Sequence, residues 1–354
     1  MILTLYVEFR SQILQNFEYI FLIWCYSNHL SRLRSISEME FPYHHKFLPS
    51  ASEMFKKLQL FANTPSNHTF KPSYSCLNVL YRSYPDQFNE SDSLSDHFSE
   101  SARMMAIFQP RQFKSPMETW NSWSSEFKKS KTEIELRDEL YFKSGMANGF
   151  NPCILIQLIK HYNIKSVFDP CMGWGDRLIA GLASSLDRYV GFDTNPDLTP
   201  VYDQIVATLS ESESESVSES VPIQYTGHCN AIELAPVEWF EQGGQYYEQF
   251  DCMATSPPFF DLEIYQGALT STTLYKTKDE WMKLFYYEML RRSLQSVKPE
   301  GYLFLYLPYQ MGEDAKKFLV SKMKATFVGV VGFYQTDGKR MKPERIRETY
   351  VFRK

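Results

Sequence analysis

Long apolar runs are missing from this 354-residue sequence, whose longest strongly apolar stretch, Tyr19 to Tyr26, has eight residues and follows Glu18. A membrane-crossing helix needs about 20 such residues. The first residues also lack the early positive charge and small-residue cleavage site of a secretory leader. The expectation is a soluble intracellular protein with no membrane partner. No Cys-x-x-Cys pair occurs; the six cysteines, Cys25, Cys76, Cys153, Cys171, Cys229 and Cys252, are scattered. Neither a zinc site nor a disulfide framework is indicated, no metal is expected, and a reducing compartment fits. An excess of positive charge is absent too: 37 Lys and Arg against 42 Asp and Glu give −5. That excludes a broadly basic nucleic-acid coat but leaves room for a local basic groove. Neither GxxxxGK[ST] nor GxGxxG is present, so the phosphate-cradling loops of nucleotide-binding folds are not matched.

Apolar residues are plentiful at 44%, with 27 Phe, 23 Tyr and 6 Trp, which excludes disorder of the whole chain. The length predicts roughly two domains, or one large domain with an extension. Residues 5–35 read as helical and partly apolar, and Asn63 to Glu100 reads as loop because it is rich in Ser, Asn, Pro and Tyr. From Phe108 to Trp123, two Trp, two Pro and two cations lie close together. An aromatic anchor fixing the extension to the core is the expected role, with substrate contact the alternative.

From about residue 150 short apolar runs alternate with helical spacing. Strands are predicted at Ile164–Asp169, Tyr189–Asp193, Ile223–Thr226, Phe250–Thr255 and Tyr302–Leu307, and a final pair at Phe327–Tyr334 and Thr349–Phe352. A helix is predicted over Gly175–Ser185. This order implies an α/β fold, with a parallel sheet and helices on both faces. Right-handed crossovers would then bring the strand C-terminal ends to one rim, where ligands bind. The run from Ser210 to Ser220 alternates Ser and Glu and should be a disordered surface loop; without it the remainder is nearly neutral. Thr277-Lys-Asp-Glu280 reads as a capping box opening a helix whose core stripe is Trp281, Leu284, Phe285, Leu290 and Leu294, with Tyr287 flanking that face. That helix should stop before the turn signal Lys298-Pro-Glu-Gly301.

Three motifs sit on the predicted rim. In Val167-Phe-Asp-Pro-Cys-Met-Gly-Trp-Gly-Asp-Arg-Leu178, Gly173 and Gly175 allow a sharp turn and close approach of backbone to a ligand. The helix start beyond them offers free N–H groups, and Asp169 is placed to accept from a ligand ammonium. Asp193, in Gly191-Phe-Asp-Thr-Asn-Pro196 at the next strand end, is placed to accept both hydroxyls of a ribose; a helix-capping Asp is the plainer reading. The third motif is Asp251-Cys-Met-Ala-Thr-Ser-Pro-Pro-Phe-Phe260. Pro257 and Pro258 cannot continue a strand, so the chain is forced out over the rim. Ser256 and the Pro257 carbonyl become fixed acceptors, and Phe259 supplies a face for stacking a planar amine.

Together these motifs resemble the class I S-adenosylmethionine-dependent methyltransferases, and within them the amino-methyltransferases acting on exocyclic nitrogens of nucleobases. That family carries an acid-Pro-x-x-Gly-x-Gly loop and an [Asp/Asn/Ser]-Pro-Pro-[Tyr/Phe/Trp] motif, here Asp169-Pro170…Gly173-Trp174-Gly175 and Ser256-Pro257-Pro258-Phe259. The GWGDRL loop and the SPPFF-D-x-E-x-Y stretch are similar to those of phage and large-DNA-virus members. The resemblance covers about residues 138–354. It implies a Rossmann-like methyltransferase fold, a mostly parallel seven-stranded sheet with a C-terminal antiparallel hairpin. Residues 1–137 are left as a largely helical or irregular extension and a candidate substrate-recognition region.

By the same resemblance the cofactor is S-adenosyl-L-methionine. Asp169, Pro170, Gly173 and Gly175 would hold its methionine part, with Phe150 and Asn151 packed over that end, Asp193 on the ribose and Asn230 near the adenine. Ser256, Pro257, Pro258 and Phe259 would bind and align the target base. Cys171 and the Gly227-His-Cys-Asn segment depart from the usual pattern. No Cys follows a Pro in the motif where cytosine C5 chemistry would need one, so an amine acceptor is implied, cytosine N4 or adenine N6. Asp261, Glu263 and Tyr265 are placed to border the base pocket or cap the following loop, and His228 reads as an ordinary strand-end side chain. DNA is the favoured partner and RNA the alternative; methylation of a protein amide and a catalytically silent binding module are weaker ones. Two basic clusters, Lys128, Lys129, Lys131 and Arg137, and Lys339, Arg340, Lys342, Arg345, Arg347, Arg353 and Lys354, are placed either to meet phosphates or to be solvated rim charge.

Overall fold

The computed structural model describes residues 40–64, 80–82, 94–108, 114–144, 147, 149–211, 223–260, 263–265, 267–334 and 346–354. The predicted N-terminal helix over 5–35, most of the Ser/Glu run, Asp261 and four cations of the C-terminal cluster (Lys339, Arg340, Lys342 and Arg345) lie outside these residues. Ten strands are described: β1 (Leu80–Arg82), β2 (Ile107–Phe108), β3 (Ser166–Asp169), β4 (Arg188–Asp193), β5 (Gln224–Cys229), β6 (Phe250–Thr255), β7 (Glu263–Ile264), β8 (Val297–Tyr306), β9 (Thr326–Tyr334) and β10 (Ile346–Arg353).

Eight of them form one sheet in the order β1-β9-β10-β8-β6-β3-β4-β5. β3, β4, β5, β6 and β8 run parallel, and β10 runs antiparallel to β8 and β9. This is the expected Rossmann-like architecture. Its seven predicted strands are present, and β1, from a stretch expected to be loop, adds an eighth by pairing parallel to β9. Addition of a strand there covers an otherwise open edge. The same stretch also holds the start of a helix, Asp96–Arg103.

The chain builds outward from β3 to β4 and β5, then crosses back to β6 on the other side of β3. A reversal of this kind opens a crevice at the strand C-terminal ends. Alternation along the strands feeds two cores. Val167, Tyr189, Cys252 and Ala254 join helices Ala51–Asn63, Pro152–Tyr162, Asp176–Ala183 and Thr199–Glu211 on one face. Phe168, Val190, Phe192, Met253, Leu303 and Leu305 join helices Tyr287–Ser296 and Tyr309–Ser321 on the other. A third, separate cluster holds Phe41, Met104, Met117, Trp120, Leu136 and Leu140. Trp120 is therefore a buried anchor, as expected, but of the N-terminal layer's own core.

The Thr277 capping box is present, with Glu280 returning the bond to the cap. The predicted core stripe is corrected in one place: Leu284 is 53% exposed, while Tyr286 and Met289 are fully buried. The cause is a π-helical turn over Trp281–Tyr286, which inserts a residue and shifts the facing set. Lys298–Gly301 turns as its sequence signals, but inside β8. Phe250 pairs with Val297 and Cys252 with Tyr302, so four residues bulge out opposite one, with Glu300 at φ +66°.

Candidate active site at the sheet rim

The loops after β3, β4, β5 and β6 converge on one cleft of about 770 Å3, its open mouth included. Among the predicted residues, Pro170, Gly173, Asp193, Asn230, Ser256 and Pro258 line it, together with Cys171, Trp174, Ile232, Glu233, Tyr265 and Phe285.

Asp193 ties two of these loops together. One carboxylate oxygen accepts the Gly173 N–H at 2.8 Å and the other the Asn195 N–H at 2.9 Å. Burial pushes its pKa up to about 6 against those two hydrogen bonds, with Asp169 adding to the rise. Gly173 sits at φ +58°, and a Cβ there would meet open space. Gly175, at φ +94°, does not line the cleft; a Cβ there would stand 2.6 Å from Ile205 Cδ1. Its job is the turn and the close packing of helix Asp176–Ala183.

Asp169 departs from its expected position. It is fully buried behind the cleft and does not line it. One oxygen accepts from Arg177 Nε at 2.8 Å and from the Tyr189 hydroxyl at 2.6 Å; the other accepts from the Thr255 hydroxyl at 3.0 Å and the Cys171 N–H at 3.2 Å. Burial acts to lower the Arg177 pKa, but Asp169 overrides it and holds the guanidinium above its ordinary value. The same guanidinium donates to the Cys171 carbonyl. The acid of the glycine loop thus pins β3, β4, β6 and the loop to one another instead of facing a ligand.

Phe150 and Asn151 also have internal partners. The Phe150 ring lies 5.1 Å from the Arg177 guanidinium, its N–H donates to Asp176 at 2.9 Å, and Asn151 caps helix Pro152–Tyr162 by accepting the Cys153 N–H. Pro257 is buried, and Phe259 packs against the second core; neither lines the cleft. The aromatic rings that do are Trp174, Tyr265 and Phe285. Asn230 lines the cleft, but its carbonyl oxygen accepts the adjacent Ala231 N–H at 2.9 Å.

Two thiols are inert. Burial, followed by the nearby carboxylates, raises Cys171 and Cys252 well above the ordinary thiol range, so neither supplies a thiolate. His228 stacks on Phe192 at 4.5 Å and shares a 2.6 Å hydrogen bond with the Tyr246 hydroxyl; burial lowers its pKa. It belongs to an aromatic cluster with Phe192, Trp239 and Tyr246.

Four cations of the two basic clusters have partners among the described residues. Lys128 is buried with its ammonium 4.2 Å from the Trp120 ring, and Lys131 pairs with Glu139 at 3.4 Å. Arg353 pairs with Glu300 and Lys354 with Glu248. No helix among the described residues is long and apolar enough to cross a membrane.

Sequence reasoning missed the N-terminal contribution to the site. β2 pairs antiparallel with β7, just after the Pro-Pro motif. Ala102, Met105 and Ala106 line a second hollow that shares Trp174, Asn195 and Tyr265 with the cleft. It also missed Glu233, Thr270, Ser271 and Phe285 on the cleft wall.

No family model matches the chain, and no curated protein matches it. Among solved structures, TrmN from Thermus thermophilus is 14% identical, with 58% of this chain and 49% of that one covered at a TM-score of 0.37. An S-adenosylmethionine-dependent O-methyltransferase from Thermotoga maritima is 10% identical, with 59% and 67% covered at 0.37. The N-methyltransferase NodS from Bradyrhizobium japonicum is 10% identical, with 57% and 93% covered at 0.32. The chain spans about half the length of TrmN. Likenesses at these scores carry no argument; the fold rests on the strand order and register.

Proposed function

We propose that the chain transfers a methyl group from S-adenosyl-L-methionine to an exocyclic amino nitrogen of a nucleobase, in DNA, at cytosine N4 or adenine N6. The observation that carries this reading is that Pro170, Gly173, Asp193, Asn230, Ser256 and Pro258, from four separate strand ends, border one cleft. When bound, the donor supplies a sulfonium-activated methyl group. The residues fit its nucleoside end. Each oxygen of Asp193 accepts one N–H, which leaves lone pairs for a vicinal diol, and the empty space at Gly173 admits a ligand against the backbone. At the amino-acid end the fit changes. Asp169 already has its partners, so its part is to hold the loop that carries Pro170 and Gly173.

On the acceptor side, Ser256 and the Pro257 carbonyl would take the two amine hydrogens and turn the nitrogen lone pair toward the methyl group. Such a reaction depends on alignment and hydrogen-bond polarisation and needs no covalent intermediate. Phe285 in the cleft wall is better placed than Phe259 to lie along a planar base. A base in a duplex must be flipped out of the stack, and residues 1–137 join its recognition through Ala102–Ala106 and the β2–β7 pair.

The test is transfer of labelled methyl from S-adenosylmethionine to unmodified duplex DNA, single-stranded DNA and total RNA in parallel, with mass analysis of the nucleosides. N4-methylcytosine or N6-methyladenine in DNA is the expected result. Label in RNA alone would replace the substrate and keep the chemistry; label in neither would overturn the nucleobase reading.

A further inference from the structure

Glu233 follows β5 in the short helical turn Ile232–Leu234. It is 7% exposed and lines the same cleft as Ser256 and Pro258. No donor among the described residues meets its side-chain oxygens at full hydrogen-bond geometry; the Tyr275 hydroxyl is the one side-chain donor that approaches them. Buried carboxylates are ordinarily held by several hydrogen bonds, and one so sparsely bonded on a cleft wall calls for a reason. We infer that Glu233 is the proton acceptor for the nitrogen that is methylated, a role that rests on the methyl-transfer reading above.

The surroundings fit this role. Arg292 donates to Glu288 at 2.6 Å, to the Ile232 carbonyl at 2.9 Å and to the Ala235 carbonyl. It therefore clamps the turn on both sides of Glu233 without closing a hydrogen bond on the carboxylate. The groups facing Glu233 are the Tyr275 hydroxyl, Arg292, Glu288 and the Cys171 thiol. Burial dominates over them and lifts the Glu233 pKa to about 7, the range in which a carboxylate is an effective base at neutral pH. The other ionisable groups bordering the cleft are less suited: Asp193 already accepts two backbone N–H groups, and the Cys171 thiol is kept protonated.

In the step itself, the acceptor nitrogen's lone pair forms the N–CH3 bond as the S–CH3 bond breaks, its electron pair remaining on sulfur. The N–H proton held by Ser256 passes through its hydroxyl, which accepts it and releases its own to the Glu233 carboxylate, and from there goes to solvent as the product leaves.

The experiment compares wild type and Glu233→Gln in single-turnover transfer from pH 6 to 9, on whichever of duplex DNA, single-stranded DNA or RNA takes label from the wild type. Affinity for S-adenosylhomocysteine is measured beside it. The expected result is a loss of transfer on the order of 100-fold, cofactor affinity within threefold, and disappearance of the acid limb that breaks near pH 7 in the wild type. Glu233→Ala with added formate is the second variant, and partial recovery of rate with formate is expected. Retained rate or a retained acid limb in Glu233→Gln overturns the role of Glu233 while leaving methyl transfer standing. A large loss of S-adenosylhomocysteine affinity with normal saturated rate assigns Glu233 to the cofactor and equally overturns it. If the wild type binds cofactor and labels no nucleic acid, the inference falls together with the reading beneath it.

Discussion

Asp169 accepts five hydrogen bonds from four residues, and Arg177 is the charged one. Removing one partner of a buried pair leaves the other charge uncompensated, at a cost of about 3–5 kcal/mol. Asp169→Asn should therefore lower the unfolding free energy by that much, read as a lower urea midpoint at unchanged slope; an unchanged midpoint would contradict the internal role. Asp193 predicts a pH profile instead. A diol prefers the charged carboxylate, whose pKa burial lifts to about 6. The dissociation constant for S-adenosylhomocysteine should rise about tenfold per pH unit below that value and stay flat above it, and Asp193→Asn should flatten the profile. Glu233 affects stability with the opposite dependence from a salt-bridged acid. It holds its proton to about 7 in the folded chain against 4.5 ordinarily, so folding takes up a proton between those values. Its contribution to stability falls as pH rises through that window and is lowest above 7. Glu233→Gln should gain about 3 kcal/mol at pH 8 relative to pH 4.5; equal differences at both pH values would contradict it. The rim acids were legible because a strand-end Asp beside glycine is a local pattern. The pairing of Asp169 was not, since Tyr189 and Thr255 reach it from neighbouring strands. Nor was Glu233, whose charged and hydrogen-bonding neighbours Arg292 and Tyr275 lie more than 40 residues away.

The two glycines of the rim turn separate backbone from ligand effects. Gly175→Ala imposes a left-handed φ on a side chain that also meets Ile205, so a stability loss of about 1–2 kcal/mol is expected. Gly173→Ala carries a similar backbone cost, but its Cβ enters the cleft. The larger effect there should be weaker binding of S-adenosylhomocysteine, measured by calorimetry. If both variants bind alike, Gly173 does not border the ligand. Strand positions were readable because β3, β4 and β6 are short apolar runs with sharp polar ends. The phase of the helix through Trp281 was not, because a π-turn leaves no mark in apolar periodicity until Leu284 is found outside and Tyr286 inside. β1 was hidden for another reason: three residues, Leu80–Arg82, become a strand only because β9 offers them an edge.

At the scale of the molecule, the N-terminal layer has its own core around Trp120 yet touches the rim through β2 and the hollow lined by Ala102, Met105 and Ala106. Ligand in the cleft should slow amide exchange in residues 102–108 and 263–271 as well as in the loops after β3, β4 and β5. Protection confined to those loops would detach the N-terminal layer from the site. None of this was legible in residues 1–137, whose contacts with the rim are long-range and follow no local period. The central claim is that the rim cleft receives S-adenosylmethionine. Its most direct test is calorimetric titration of S-adenosylhomocysteine into the wild type and into Asp193→Ala. The account predicts one site in the wild type and at least a tenfold loss in the variant, on the order of 1.4 kcal/mol; no binding by the wild type, or equal binding by both, would contradict it.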